Sequence, residues 1–214
     1  SIALSSMIAN YTAIKFNIIS PPLLLEKINF DIIGVLSGLT LIGPLAAIVA
    51  IIFIKLLLTV NKFPNYAGLK NWQTPIIAGL ACGITGLFLD EILGLGTKTL
   101  LDVLTINFDV SFLIILLLGK LILTSLCIGL GFFGGVFSPA LFLGALVGAL
   151  IYNLDFLNLD DNHLSVLAVS GMAAVSSSVI GAPITAIILV LELTGSYDYA
   201  IAATLPVAIC TFIT

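Results

Sequence analysis

From Val110 to Leu154 the chain is apolar on both sides of one interruption, Gly134-Gly135-Val136-Phe137-Ser138-Pro139, and carries a single charge, Lys120. About 20 apolar residues suffice to cross a bilayer. A backbone break inside such a region is tolerated only where the freed polar groups find partners. Glycine opens backbone angles closed to other residues, which suits Gly134 and Gly135 to the break. Pro139 has no N–H and fits the first turn of a helix, so a helix is predicted to start near Phe137.

The first backbone N–H groups of a helix have no intrahelical acceptor, and the helix dipole gathers partial positive charge there. An anion can accept from them, as at the broken helices of transporters. The stretch Gly134, Gly135, Val136, Phe137, Ser138 and Pro139 is therefore a candidate anion site, with the amides of Val136 and Phe137 as ligands. Dipoles without the full charge of Lys or Arg suit an ion that must also leave. The plain alternative is a glycine hinge and a proline start whose amides are satisfied by a neighbouring segment or water. These residues by themselves leave both open.

Composition decides the class. Charged residues make up 8% of the 214 positions and hydrophobic ones 60%, and the mean hydropathy is +1.28. A soluble domain carries about a quarter charged residues, so this is a polytopic integral membrane protein, and its apolar runs of spanning length make the expected fold all-α. The seven basic residues are all Lys, with no basic patch of the kind nucleic acid requires. Cys82, Cys127 and Cys210 each lie in an apolar run and read as small buried hydrophobes, with neither metal spacing nor a disulfide framework. No cofactor is expected. The one histidine, His163, reads as a solvated loop or helix-start residue.

Ile2–Phe16 is a short helix candidate, followed by a connector over Asn17–Phe30 with Pro21-Pro22 and the pair Glu26-Lys27. Asp31–Leu58 is long enough to span, with Gly34, Gly38 and Gly43 allowing close helix contact and Pro44 a site for a kink. Lys55, Lys62 and Lys70 gather around the next connector, which the positive-inside rule places in the cytoplasm, and Trp72 fits an interfacial anchor. Thr74–Leu89 follows, its Gly79 and Gly83 at the small-xxx-small spacing of close packing. Asp90-Glu91 reads as a loop on the outer side, before a short amphipathic piece, Thr97–Leu104.

Val110–Leu130 is the next span. Its mid-membrane Lys120 is costly in lipid and must pair, snorkel or face a polar interior. It could raise the potential along an anion path, pair with Glu192 or reach an interface. Phe137–Leu154 carries Gly144 and Gly148 at four-residue spacing and ends in an acidic outer loop, Asp155–Asp161. Two shorter helices are predicted over Leu164–Ser177 and from Pro183 to Leu193, parted by Ser178-Val179-Ile180-Gly181-Ala182. Ser196 reads as a turn or helix cap, Tyr197 and Tyr199 as interfacial aromatics, and Tyr199–Thr214 as a last helix. The chain opens and closes within apolar helices, so residues 1–214 are expected to be one transmembrane unit of a longer protein.

Three blocks in this order resemble the CLC family of chloride channels and chloride/proton antiporters. Gly135-Val136-Phe137-Ser138-Pro139 matches its G-x-F-x-P signature. Gly171-Met172-Ala173-Ala174 with Ala182-Pro183-Ile184-Thr185-Ala186 through Thr194 resembles its later block, and Gly119-Lys120-Leu121 also fits. The resemblance implies tilted, re-entrant helices in two inverted repeats, of which this chain is most of the second. It implies chloride bound by the amides of Val136 and Phe137 as a transported ligand, protons as a second partner of the antiporters, and a homodimer in the cell membrane. The dimer interface would use the segments Ile2–Phe16, Pro183–Leu193 and Tyr199–Thr214. Two departures stand out: Phe132 and Phe133 where the family often has small residues, and Gly181 where a basic residue often precedes Ala-Pro. The first-repeat motifs, the proton-handling glutamate and the closing tyrosine have no counterpart here, so the chain is expected to supply one wall of a pore. No enzymatic role is expected. Two other readings remain: a cation-coupled symporter whose broken helix holds a substrate carboxylate, and a membrane scaffold whose glycines only pack helices.

Overall fold

The computed structural model describes residues 32–66, 68, 70, 72–94, 96–154 and 163–214, with positions 5, 8, 11, 12 and 15 near the start. The connector Asn17–Phe30, the acidic loop Asp155–Asp161 and most of the helix expected over Ile2–Phe16 lie outside the described residues. Among the described residues the fold is helical throughout: α1 (Ile32–Tyr66), α2 (Gln73–Phe88), a 3-10 turn (Asp90–Ile92), α3 (Thr97–Thr105), α4 (Val110–Gly129), α5 (Phe137–Tyr152), α6 (His163–Ile180), α7 (Pro183–Thr194) and α8 (Tyr197–Ile213). Three of these, α1, α4 and α6, are long and apolar enough to cross a membrane.

The centre is α6, apolar on every side and enclosed by α1, α5, α7 and α8. Its tightest partner is α5. A Cβ placed on Gly144 or Gly148 would run into the backbone carbonyls of Gly171 and Leu167, and one on Gly171 into that of Gly144. The four-residue spacing thus brings two helix backbones into direct contact, the use expected of small residues in membranes. In α1, Gly38 and Gly43 make room for the side chains of Leu167 and Ile209. The same expectation fails for α2. Among the described residues, nothing outside the helix's own backbone lies within 4 Å of a Cβ on Gly83, and a Cβ on Gly79 meets the Phe132 ring at 3.8 Å.

Other boundaries shift for local reasons. Helix α1 continues past Leu58 to Tyr66, so Lys55 and Lys62 lie on the helix and Lys70 follows it. Thr59, Asn61 and Lys62 end the apolar run without ending the helix, and Thr59 Oγ1 donates back to Lys55 O at 2.7 Å. At about 1.5 Å per residue its 35 residues reach roughly 52 Å, beyond the ~30 Å hydrocarbon layer. Helix α6 likewise runs through the serines to Ile180, because Ser176 and Ser177 donate back to the carbonyls of Ala173 and Ala174. It stops where Gly181 turns left-handed (φ +75°). There Ser177 O accepts from both Gly181 N and Ala182 N, and Pro183 begins α7.

Two polar residues sit deeper than their sequence context suggests. His163 is the first residue of α6 but is buried rather than solvated, beside Gly34 of α1. Tyr197 is exposed as expected, whereas Tyr199 is fully buried, its hydroxyl 3.0 Å from Ser165 Oγ. That contact ties the start of α8 to the core helix. Ser196 occupies the cap position of α8 without a side-chain cap bond. Replacing Tyr199 with Phe keeps the ring and deletes the hydroxyl, and should cost about 1 kcal/mol, the usual net value of such a bond. A thermal melt in detergent checks this, with an unchanged midpoint counting against it.

Candidate functional site

The break is built from the end of α4. Phe132 N–H donates to Cys127 O at 3.0 Å and Gly131 N–H to Ile128 O at 3.1 Å, with Gly131 left-handed at φ +98°. The glycine that uses its conformational freedom is therefore Gly131. Gly134 and Gly135, expected to do so, have no positive φ. Gly135 contributes space instead, since among the described residues nothing beyond its chain neighbours lies within 4 Å of where its Cβ would stand.

Helix α5 begins at Phe137, where the sequence places it, with Val136 at the cap position (φ −83°, ψ −13°) and no side-chain cap. The first helical bond runs from Ala140 N–H to Val136 O at 3.1 Å. Pro139 sits in the first turn and has no N–H to satisfy. Among the described residues no backbone carbonyl accepts from the amides of Val136, Phe137 or Ser138. These donors lie at the positive end of an apolar helix, on a face that the described residues leave open: Gly134, Gly135 and Phe137 are exposed and Val136 half-buried. Phe133 is fully exposed and, with Phe132, borders the cavity at the break, while Phe132 also packs toward α2.

Behind the break lies a cavity of about 220 Å³, lined by Gly134, Gly135, Pro139, Lys120, Cys82 and Cys127 among others. Lys120 is 2% exposed. Its ammonium donates to Ile92 O and to Gly94 O, both at 2.8 Å, and lies 4.9 Å from the centre of the Phe142 ring. It neither pairs with Glu192, which is exposed on α7, nor snorkels to an interface. A buried ammonium has three N–H donors to satisfy. Here one carbonyl at the end of the 3-10 turn, that of Ile92, and one just after it, that of Gly94, take two of them. The lysine is evident in the sequence; its acceptors, 28 and 26 residues away, are not.

The remaining polar candidates lie apart from the break. Asp90 and Glu91 stand on the 3-10 turn and border a separate cavity of about 450 Å³ with Lys98 and Asp102. Among the described residues no three His, Cys, Asp or Glu side chains converge to hold a metal ion. Cys210 contacts Ser178 Oγ at 3.0 Å on the far side of α6. Cys82 and Cys127 are half-buried and, unforeseen from sequence, touch each other across α2 and α4.

The family model described as Voltage gated chloride channel matches residues 1–214. The H(+)/Cl(-) exchange transporter ClcA of Vibrio parahaemolyticus is 37% identical over 164 residues, covering 73% of this chain and 35% of that protein. The ClcA exchanger of Salmonella agona is 31% identical over 190 residues, covering 86% and 40%. In fold, the chain resembles a CLC-type fluoride/proton antiporter, with a TM-score of 0.69, 22% identity, and coverage of 90% of this chain and 47% of the other. A slow cyanobacterial Cl-/H+ antiporter gives a TM-score of 0.68 at 22% identity, over 90% and 46%. The chain thus spans 35% to 40% of the length of these exchangers.

Proposed function

This chain belongs to the voltage gated chloride channel family, and on that premise we propose that it forms one wall of a chloride pathway, in a channel or a chloride/proton antiporter. It is an integral membrane protein, as the family and its apolar helices require. The anion sits against Gly134, Gly135, Val136, Phe137, Ser138 and Pro139, held by the amides of Val136 and Phe137. One observation carries this reading: a helix in apolar surroundings starts with its first amides free of backbone acceptors among the described residues, beside space that Gly135 leaves open among them. Unpaired donors there are costly, and an anion relieves that cost while the dipole favours its charge.

Chloride is the ion named for both the Vibrio and the Salmonella relatives, and exchange with protons is their named activity. Both favour an anion path over a cation-coupled symporter or a packing scaffold. The same reading includes a homodimer. It is supported by exposed apolar side chains on the two helices that would meet, Ile184 and Ile188 on α7 and Ile201 on α8.

The test removes one ligand atom. Val136 has φ −83°, close to the angle a proline ring imposes, so Val136→Pro deletes the N–H with little backbone strain. A hydrogen bond to a charged group contributes about 1.5–3 kcal/mol, so chloride affinity should fall about tenfold or more. Isothermal titration with chloride on the folded variant reads it. Unchanged affinity would remove Val136 from the site.

A further inference from the structure

The cavity behind the break holds chemistry that anion binding does not use. Cys82 of α2 and Cys127 of α4 bring their sulfurs to 3.1 Å although 45 residues separate them. Both are free thiols, half-buried, and both line the cavity that Gly134, Gly135 and Lys120 also border. Reagents that reach this space meet two thiols at once.

We propose that Cys82 and Cys127 form a modification site: a dithiol that a low-molecular-weight disulfide oxidises to a Cys82–Cys127 disulfide, fixing α2 to α4 and slowing ion movement past the break. The effect on ion movement rests on the anion reading above; the dithiol does not. One thiol, as thiolate, attacks a sulfur of the reagent RSSR, giving a mixed disulfide and one RSH. The second thiolate then attacks the protein-bound sulfur, forming the intramolecular S–S bond and releasing the second RSH. The protein loses two electrons and two protons, and the reagent's S–S bond takes up both. Bonded sulfurs stand about 2.05 Å apart, so the pair must close by about 1 Å from its 3.1 Å separation.

Coupling to the break follows from what α2 touches. Among the described residues it packs chiefly against α4 and the 3-10 turn. That turn supplies the Ile92 carbonyl that holds Lys120, and the Phe132 ring at the break lies against Gly79 of α2. Locking α2 onto α4 therefore fixes the turn, the ammonium and one edge of the break together.

The experiment oxidises the protein, expressed from its whole gene and purified in detergent, with oxidised glutathione. Non-reducing peptide mapping and chloride efflux from liposomes are then measured before oxidation, after it, and after a reductant. Expected are a linked Cys82–Cys127 peptide and efflux slowed about fivefold, the lower range of ordinary coupling between sites, with both reversed by reductant. C82S and C127S should each abolish link and slowing, while C210S keeps both. The wild-type comparison needs no variant, so a misfolded serine variant leaves the test intact. Glutathione adducts without a link, or no reaction in the folded protein, overturn the dithiol site. A link with unchanged efflux overturns its coupling to transport. If the reduced protein moves no chloride, the anion reading fails, and the peptide map alone decides the dithiol.

Discussion

Replacing Gly144 with Leu should abolish most of the folded protein. The position has no room for a side chain, because its Cβ would meet the carbonyl of Gly171 and the backbone of Met172. Overpacking against mobile side chains typically costs about 1–3 kcal/mol. Here the obstacle is backbone, which has no rotamer to change, so the cost should exceed about 3 kcal/mol, a large share of the 5–15 kcal/mol available to an ordinary domain. The only relief is to push α5 away from α6, and that withdraws the helix that starts at the break. The yield of monodisperse protein in detergent and its melting temperature measure the effect. Gly83→Ala is the control, since among the described residues nothing outside its own helix lies within 4 Å of the added Cβ. It should be neutral or gain up to about 1 kcal/mol from helix propensity. Equal behaviour of the two variants would show that the glycine contact between α5 and α6 does not carry the fold.

Lys120→Met should be the next most damaging change, at about 2 to 4 kcal/mol. Methionine fills much of the same volume but donates nothing, so the carbonyls of Ile92 and Gly94 lose their donor. A buried acceptor left unsatisfied costs about 1–3 kcal/mol, and the contact with the Phe142 ring adds about 0.5–2 kcal/mol. Gly94 O, the less buried of the two, can recover a water from the adjoining cavity, which holds the total down. Removing a buried ammonium relieves its desolvation, yet breaking a buried polar set from one side is destabilising as a rule. Denaturant titration in mixed micelles gives the number, and a variant as stable as the parent would show that the two carbonyls do not depend on the lysine.

What the sequence revealed and what it concealed divides along chain distance. The start of α5 at Phe137 and the restart of α7 at Pro183 were legible because proline and glycine act on their immediate neighbours. The contact of Gly144 and Gly148 with α6 was legible as spacing, although the partner helix was not. Among four closely spaced glycines, 129, 131, 134 and 135, nothing local tells which turns left-handed. It is Gly131, since the chain must leave α4 there. The acceptors of Lys120 lie 26 and 28 residues away and the partner of Cys82 lies 45 away. Hydrophobic periodicity carries no record of such meetings. Tyr199 and His163 misled for a related reason: a polar tip beside a loop reads as solvated until the helix opposite closes over it. Helix α1 outran its apolar run because a helix does not end where a membrane does.

The ligands proposed for the anion are main-chain N–H groups, and that has a genetic consequence. Every amino acid but proline carries the same donor, so substitution at Val136 or Phe137 ordinarily leaves the binding atom in place and alters only what surrounds it. No single-base change converts a valine or phenylalanine codon into a proline codon. The atoms that hold the ion are thereby shielded from ordinary point mutation, while the side chains around them remain free to vary.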